Sequence, residues 1–330
     1  DCSGLYFRGA TSPTLLETYF SCPYKSFAAR GLKLQEREER SVMATDTGSF
    51  MHAVLEETAR RSRELASEEE CRALARRTGE ALLETPRFAG IGDTDAGKYA
   101  RERLLSEGED VAAAAWLQLA CSEFSVEKTE APVAVKELSL AGKTDRIDSS
   151  GPYVRVIDYK TGAIEDDAAS YYTGRKLQLE LYLKGASEGR IPAGAFYFPA
   201  ASDIASSSSA GKRFRMRGFF NAEEEVVRRM DKSLEEGGES GVFDYRRNGR
   251  AQDRAMSGED FAAFLDYAVL VSARAEREMK EGNIAPAPYK GACDYCKLRS
   301  LCGFVGEERS EGAVKCSEIA EIVRRERGEK

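Results

Sequence analysis

Apolar residues recur at helical spacing through most of the first 124 positions and then give way to short β-rich runs. The opening stretch SPTLLETYFSCPYKSFAARG carries a helix start, with Ser12 as N-cap, Pro13 at the first helical position and Glu17 early in the run. Pro23 lacks an amide hydrogen and is expected to interrupt or redirect that helix. After Gly48, GSFMHAVLEETARRSREL repeats the helical pattern, and two charged amphipathic segments carry it to about Phe124. Residues 133–140, 143–148, 153–159 and 193–198 then read as strands separated by turn residues. Residues 175–185, 221–236 and 258–281 read as helices, 312–330 as a charged terminal helix, and 202–211 as a low-complexity loop. This order predicts an α/β fold, a mixed central sheet flanked by helices, with a helical insertion over about 53–128.

One stretch breaks the strand pattern. Residues 139–162 read SLAGKTDRIDSSGPYVRVIDYKTG, two strands around a Ser-Ser-Gly-Pro turn, yet Asp145, Asp158 and Lys160 stand where a buried strand carries apolar residues. If Asp148 pairs with Tyr153 across the turn, Asp145 lies opposite Val156 with Asp158 on the diagonal. Side-chain alternation then puts all three charges on one face. Two carboxylates about 4 Å apart repel by roughly 1 kcal/mol in water and by several times more where solvent is scarce. A divalent cation between them reverses the sign. Hard oxygen ligands suit Mg²⁺ or Mn²⁺, and Lys160 beside them suits a phosphate or a developing negative charge. The plain alternative is a salt-bridged cluster on an exposed hairpin face. His52, the sole histidine, lies four residues after Gly48 at a helix start, and Gln178 shares a helix face with Tyr182. Gly142-Lys143-Thr144 imitates the end of a Walker loop, but Glu137 occupies the first glycine position and a strand follows, so ATP hydrolysis is not expected.

Composition narrows the field. The 330 residues carry 49 Lys and Arg against 56 Asp and Glu, a net charge of −7. That balance argues against non-specific coating of nucleic acid, while leaving room for a local basic groove. Two basic patches exist, Lys212, Arg213, Arg215 and Arg217, and Arg246, Arg247 and Arg250; each reads equally as solvated surface or as a DNA contact. No apolar run reaches membrane-span or signal length, so a cytoplasmic protein is expected. The chain starts at Asp1, almost at a helix start, and is expected to be a piece of a longer polypeptide.

Eight cysteines without a secretory signal point to metal binding or simple burial rather than disulfides. Cys71, Cys121 and Cys316 lie in helical patterns and Cys2 in a tail. Cys293, Cys296 and Cys302, in CDYCKLRSLC, have metal-ligand spacing one ligand short, and Cys22 is the natural fourth thiolate. Four thiolates suit either Zn²⁺ or an iron-sulfur cluster.

Taken in order, Gly48-x3-His52, Gly142-x2-Asp145-Arg146-Ile147-Asp148, Ile157-Asp158-Tyr159-Lys160-Thr161-Gly162 and Gln178-x3-Tyr182 resemble the successive motifs of the RecB-type branch of the PD-(D/E)XK nucleases. With Cys22 ahead of those motifs and C-x2-C-x5-C behind them, the chain resembles the iron-staple members of that branch, and its opening looks most like the start of the AddB C-terminal nuclease domain. The resemblance implies a restriction-endonuclease-like core forming a single nuclease domain. It also implies a four-iron four-sulfur cluster on Cys22, Cys293, Cys296 and Cys302, and Mg²⁺ or Mn²⁺ on His52, Asp145, Asp158 and the carbonyl of Tyr159. Lys160 would activate water, and Gln178 would orient the site or touch DNA. Tyr182 would do likewise or simply pack, and Glu56 and Glu137 are expected to form structural salt bridges. The implied activity is Mg²⁺-dependent exonucleolytic cleavage of DNA in double-strand break repair, beside an AddA-like helicase-nuclease subunit. A free-standing single-strand exonuclease and a non-catalytic DNA-binding module with structural zinc are the rivals.

Overall fold

The computed structural model describes residues 3–6, 9–34, 44–88, 94–201, 213–234, 238–246 and 253–328. Short helix α1 (Ser3–Tyr6) precedes α2 (Pro13–Ser21), which is capped by the Ser12 side chain accepting from the Leu15 amide. Pro23 does redirect the chain: α2 stops at Ser21, Cys22 is extended, and α3 (Pro23–Arg30) starts on the proline. Helices α4 (Ala44–Arg61), α5 (Glu68–Leu83) and α6 (Asp95–Ala120) follow, so Gly48 lies inside α4 and not at its start. The helical block ends at Ala120, and β1 (Ser125–Val133) is already under way at 128.

Then come β2 (Gly142–Ser150), β3 (Tyr153–Lys160), α7 (Ala168–Tyr172), α8 (Gln178–Ala186), β4 (Ile191–Pro199), β5 (Arg217–Asn221), α9 (Glu224–Met230) and β6 (Ala255–Met256). Helix α10 (Gly258–Lys280), α11 (Arg299–Cys302) and α12 (Cys316–Glu326) complete the chain. The sheet order is β1-β2-β3-β4-β5-β6. It is mixed, antiparallel except for the β3–β4 and β5–β6 pairs. The parallel step from β3 to β4 needs a crossover, which α7 and α8 supply.

Sheet alternation sorts the core into two layers. Val154, Val156, Ala195 and Phe219 pack on one face with Leu16 and Tyr19 of α2, Leu181 of α8 and Phe264 of α10. Ile157, Tyr159, Phe196 and Phe198 pack on the other with Phe50 and Val54 of α4 and Val111 of α6. Each fully buried side chain of this size contributes about 1.5–3 kcal/mol, so the sheet is anchored from both sides. The long α10 has its own signals, with Ser257 accepting from the Asp260 amide, acids in the first turn and Arg277 and Lys280 in the last.

Several expected elements are corrected. The first strand is not 133–140: there the backbone turns, with the Leu138 amide donating to the Val135 carbonyl, and the strand lies earlier. The helix expected over 221–236 is shorter, because Asn221 ends β5 and Asp231 stops α9 by accepting from the Ser233 amide and the Ser240 hydroxyl. The terminal helix runs Cys316–Glu326, and the expected loop at 202–211 lies outside the described residues. Among the basic residues, Arg213 pairs with Asp110, Arg215 with Asp244 and Glu239, Arg217 with Asp166, and Arg246 with Glu239. The pairs at Arg213, Arg217 and Arg246 favour the surface reading, whereas Arg215 is buried and is not solvated surface; Lys212, Arg247 and Arg250 are outside the described residues.

Candidate active site

The hairpin register is tighter by two residues than the turn chemistry suggests. Ser150 pairs with Tyr153 and Arg146 with Ile157, leaving only Gly151 and Pro152 in the turn. Continuing that register sets Asp145 directly opposite Asp158 instead of on a diagonal. The two-residue shift keeps both acids on one face, because side chains alternate with period two. On the other side, Thr129 pairs with Arg146 and Ala131 with Thr144, which puts Glu130 opposite Asp145. Three adjacent strands therefore contribute one acid each to a row across the sheet.

Sequence reasoning misses Glu130, because the strand that carries it lies earlier than the β-rich run suggests. It holds φ = +50°, a left-handed backbone that costs a non-glycine residue roughly 1–2 kcal/mol. Such strain persists where the surroundings over-determine it. Its carboxylate pairs with Lys143. With His52 and Asp145 it offers three ligand atoms within 4.8 Å of one another, the one such grouping of His, Cys, Asp and Glu among the described residues.

Each remaining side chain at the row is held by a specific neighbour. His52, on α4, sits with Nε2 2.9 Å from the Tyr159 carbonyl oxygen, so Nε2 carries the proton and donates. Its Nδ1 is 3.5 Å from Asp145 Oδ1, and that carboxylate is the main cause of a raised imidazole pKa, against the opposing effect of burial. Asp145 Oδ2 accepts from the Tyr159 amide at 2.7 Å. Asp158, 3 % exposed, has one oxygen on Gln178 Nε2 and the other on Lys160 Nζ, each at 2.7 Å. Burial, then Asp145, pushes its pKa up to about 6 against the pull of Lys160 and His52. An open cleft of about 530 Å³, lined by Gly48, His52, Glu56, Glu130 and Thr161 among others, leads to the row.

Helix α8 registers two of the three acid-bearing strands, β2 and β3, against each other. Gln178 holds Asp158 on β3, while the Tyr182 ring covers Gly142 at the start of β2 and its hydroxyl bonds the Lys143 backbone. A Cβ at position 142 would come within 2.6 Å of that ring, so the glycine is a packing requirement. Tyr182 thus packs. Of the two extra acids, Glu56 lines the cleft and pairs with Arg60, whereas Glu137 is exposed in the turn beyond β1, away from the row.

On the opposite face of the same hairpin, Arg146, Asp148 and Arg155 are fully buried. Asp148 bonds both guanidinium groups at 3.0 Å, Gln118 accepts from Arg146, and Arg155 lies over the Phe124 ring, 4.5 Å from its centroid. Desolvation pulls the Arg155 pKa down to about 10.

The cysteines form a second candidate centre. Cys22 is buried at the α2–α3 joint, and Cys293, Cys296 and Cys302 are half-buried on a strap that docks there. The Tyr289 amide donates to the Ser21 carbonyl at 2.8 Å and Arg309 Nη2 to the Phe20 carbonyl at 2.6 Å. All four thiols are free of disulfides. Partial burial, then a hydrogen bond with Glu308, raises the Cys293 pKa.

The model of one nuclease family, the PD-(D/E)XK nuclease superfamily, matches residues 10–303, the whole span from α2 to the last cysteine of the strap. The chain belongs to the PD-(D/E)XK nuclease superfamily. Members of this superfamily use divalent metals, in keeping with the acid row. Several curated relatives are each named as the B subunit of an ATP-dependent helicase/deoxyribonuclease. That of Lachnoclostridium phytofermentans is 28 % identical over 89 % of this chain and 29 % of the relative, and that of Geobacillus thermodenitrificans is 27 % identical over 89 % and 30 %. A third, from Caldanaerobacter subterraneus subsp. tengcongensis, is 29 % identical over 89 % of this chain and 29 % of its own length. The chain thus spans under a third of the curated relatives it matches. No helix among the described residues is long and apolar enough to cross a membrane.

Proposed function

We propose that this chain is the nuclease domain of an AddAB-type helicase-nuclease. It hydrolyses DNA phosphodiesters as a Mg²⁺-dependent exonuclease, on a strand delivered by an AddA-like partner during double-strand break repair. The row of Glu130, Asp145 and Asp158 carries the reading, with His52 at one end and Lys160 at the other. It borders an open cleft lined by His52 and Glu130, and His52, Glu130 and Asp145 bring three ligand atoms within 4.8 Å of one another. The relatives' shared printed name supports the choice of DNA and of a helicase partner.

His52, Asp145, Asp158 and the Tyr159 carbonyl would hold Mg²⁺ or Mn²⁺, with Glu130 within reach. The ion, when bound, supplies Lewis-acid polarisation of the phosphate and eases deprotonation of water. Lys160 orients the attacking water and stabilises the charge that develops on the phosphoryl oxygens as the new P–O bond forms and the old one breaks. Gln178 fixes the Asp158 carboxylate. Cys22, Cys293, Cys296 and Cys302 would hold a four-iron four-sulfur cluster that closes the strap onto α2.

The decisive experiment incubates the protein with end-labelled single-stranded DNA, with Mg²⁺ or with EDTA, alongside iron and sulfide analysis. Mg²⁺-dependent shortening from an end and four irons per chain are expected. DNA binding without cleavage, with zinc bound, would establish the non-catalytic rival.

A further inference from the structure

Helix α8 carries Gln178 but does not cap itself. Its N-cap residue is Leu177, whose side chain accepts nothing, so the first amides of the helix need an acceptor from elsewhere. Glu17 supplies it from α2: a single oxygen, Oε1, accepts from the Leu177 amide at 2.8 Å and the Gln178 amide at 3.0 Å. A carboxylate there also meets the positive end of the helix dipole. Glu17 does nothing of the kind for its own helix, which Ser12 caps. We propose that Glu17 is a positioning residue for hydrolysis at the acid row, fixing Gln178 and through it the Asp158 carboxylate.

This rests on the nuclease reading above. Gln178 is a long side chain with several rotatable bonds, and its Nε2 must meet Asp158 Oδ1 at 2.7 Å. With Lys160 on Oδ2, Asp158 is oriented by two donors, and one of them hangs from the helix end that Glu17 holds. The support is rigid. Leu16, Tyr19 and Phe20 of α2 are buried, the Tyr19 hydroxyl donates to Glu278, and the Phe20 ring presses on Gly174, just ahead of α8. At Gly174, φ is +77° and a Cβ would come within 2.4 Å of that ring. A site held by side chains on packed elements keeps its geometry more tightly than one held by a loop.

The test is a double-mutant cycle on this chain, measuring kcat and KM for Mg²⁺-dependent cleavage of single-stranded DNA. Glu17→Ala should lower kcat by about 10- to 100-fold with KM nearly unchanged, as loss of a supporting hydrogen bond at a metal site does. Glu17→Gln, which keeps the acceptor oxygen, should recover most of that loss. Glu17→Ala combined with Gln178→Ala should fall no further than about twofold below the worse single variant, because both act through one carboxylate. If the alanine variant does not fold, Glu17→Met keeps the stem without an acceptor and takes its place in the cycle. Wild-type kcat in the acceptor-free variant, or losses that multiply in the double variant, overturn the proposal while the nuclease reading stands. A wild type that cuts no DNA overturns both.

Discussion

The tetrapeptide Asp145-Arg146-Ile147-Asp148 feeds two charge clusters on opposite faces of one hairpin, and they have opposite characters. On one face, His52, Glu130 and Asp145 gather ligand atoms within 4.8 Å of one another beside an open cleft. On the other, two arginines share one aspartate in a fully buried layer under α6, and Arg155 turns its spare surface to Phe124. The same residue types at adjacent positions thus do different work, and access decides which. Charge beside solvent is open to a ligand; charge sealed in the core must be matched by packing and hydrogen bonds.

The comparison breaks most sharply at the two aspartates. Asp158→Ala or Lys160→Ala should cut Mg²⁺-dependent cleavage by about 10³-fold or more while far-UV circular dichroism stays unchanged. Cleavage retained in both variants would dismantle the role given to the open face. Asp148→Ala should do the reverse, costing about 3–5 kcal/mol in urea unfolding because it strands two buried guanidinium groups. A loss under about 1 kcal/mol would mean that the buried face is not held by its ions.

A pH series separates the faces next. The Asp158 pKa is raised from 3.8 to about 6, so the metal-free fold binds that proton more tightly than the unfolded chain does. The resulting stability is fully present below about pH 4 and is lost as pH rises through about 6. A bound cation must displace the proton, so millimolar Mn²⁺ should raise the melting temperature far more at about pH 8 than at about pH 5. An equal rise at both would place the ion elsewhere. Smallest of all, Arg155→Met should shift stability by only about 1 kcal/mol, because it leaves a matched Arg146–Asp148 pair behind, and urea midpoints read it directly.

Much of this is legible in the sequence, where a residue's role depends on its own helix or strand. The α10 pattern, the Ser12 cap and the break at Pro23 are local, and the structure has each of them. The shared face of Asp145 and Asp158 holds despite a register that differs by two from the expected one, since an even shift preserves the face. Glu130 is hidden because β1 is an edge strand of mixed exposure with no clean alternation to mark it. Glu17 is hidden for another reason: its sequence neighbours make it part of its own helix start, while its partners are two amides far along the chain.

The strap that reaches from Tyr289 and Arg309 back to Ser21 and Phe20 also has a consequence for biosynthesis. The acids of the hairpin leave the ribosome long before the segment that secures α2 exists. A nascent chain therefore carries the acid row while the far end of the helix bearing Glu17 still lacks its contacts to the strap. Closure of the strap is thus the later of the two events, and it completes the hold on α2.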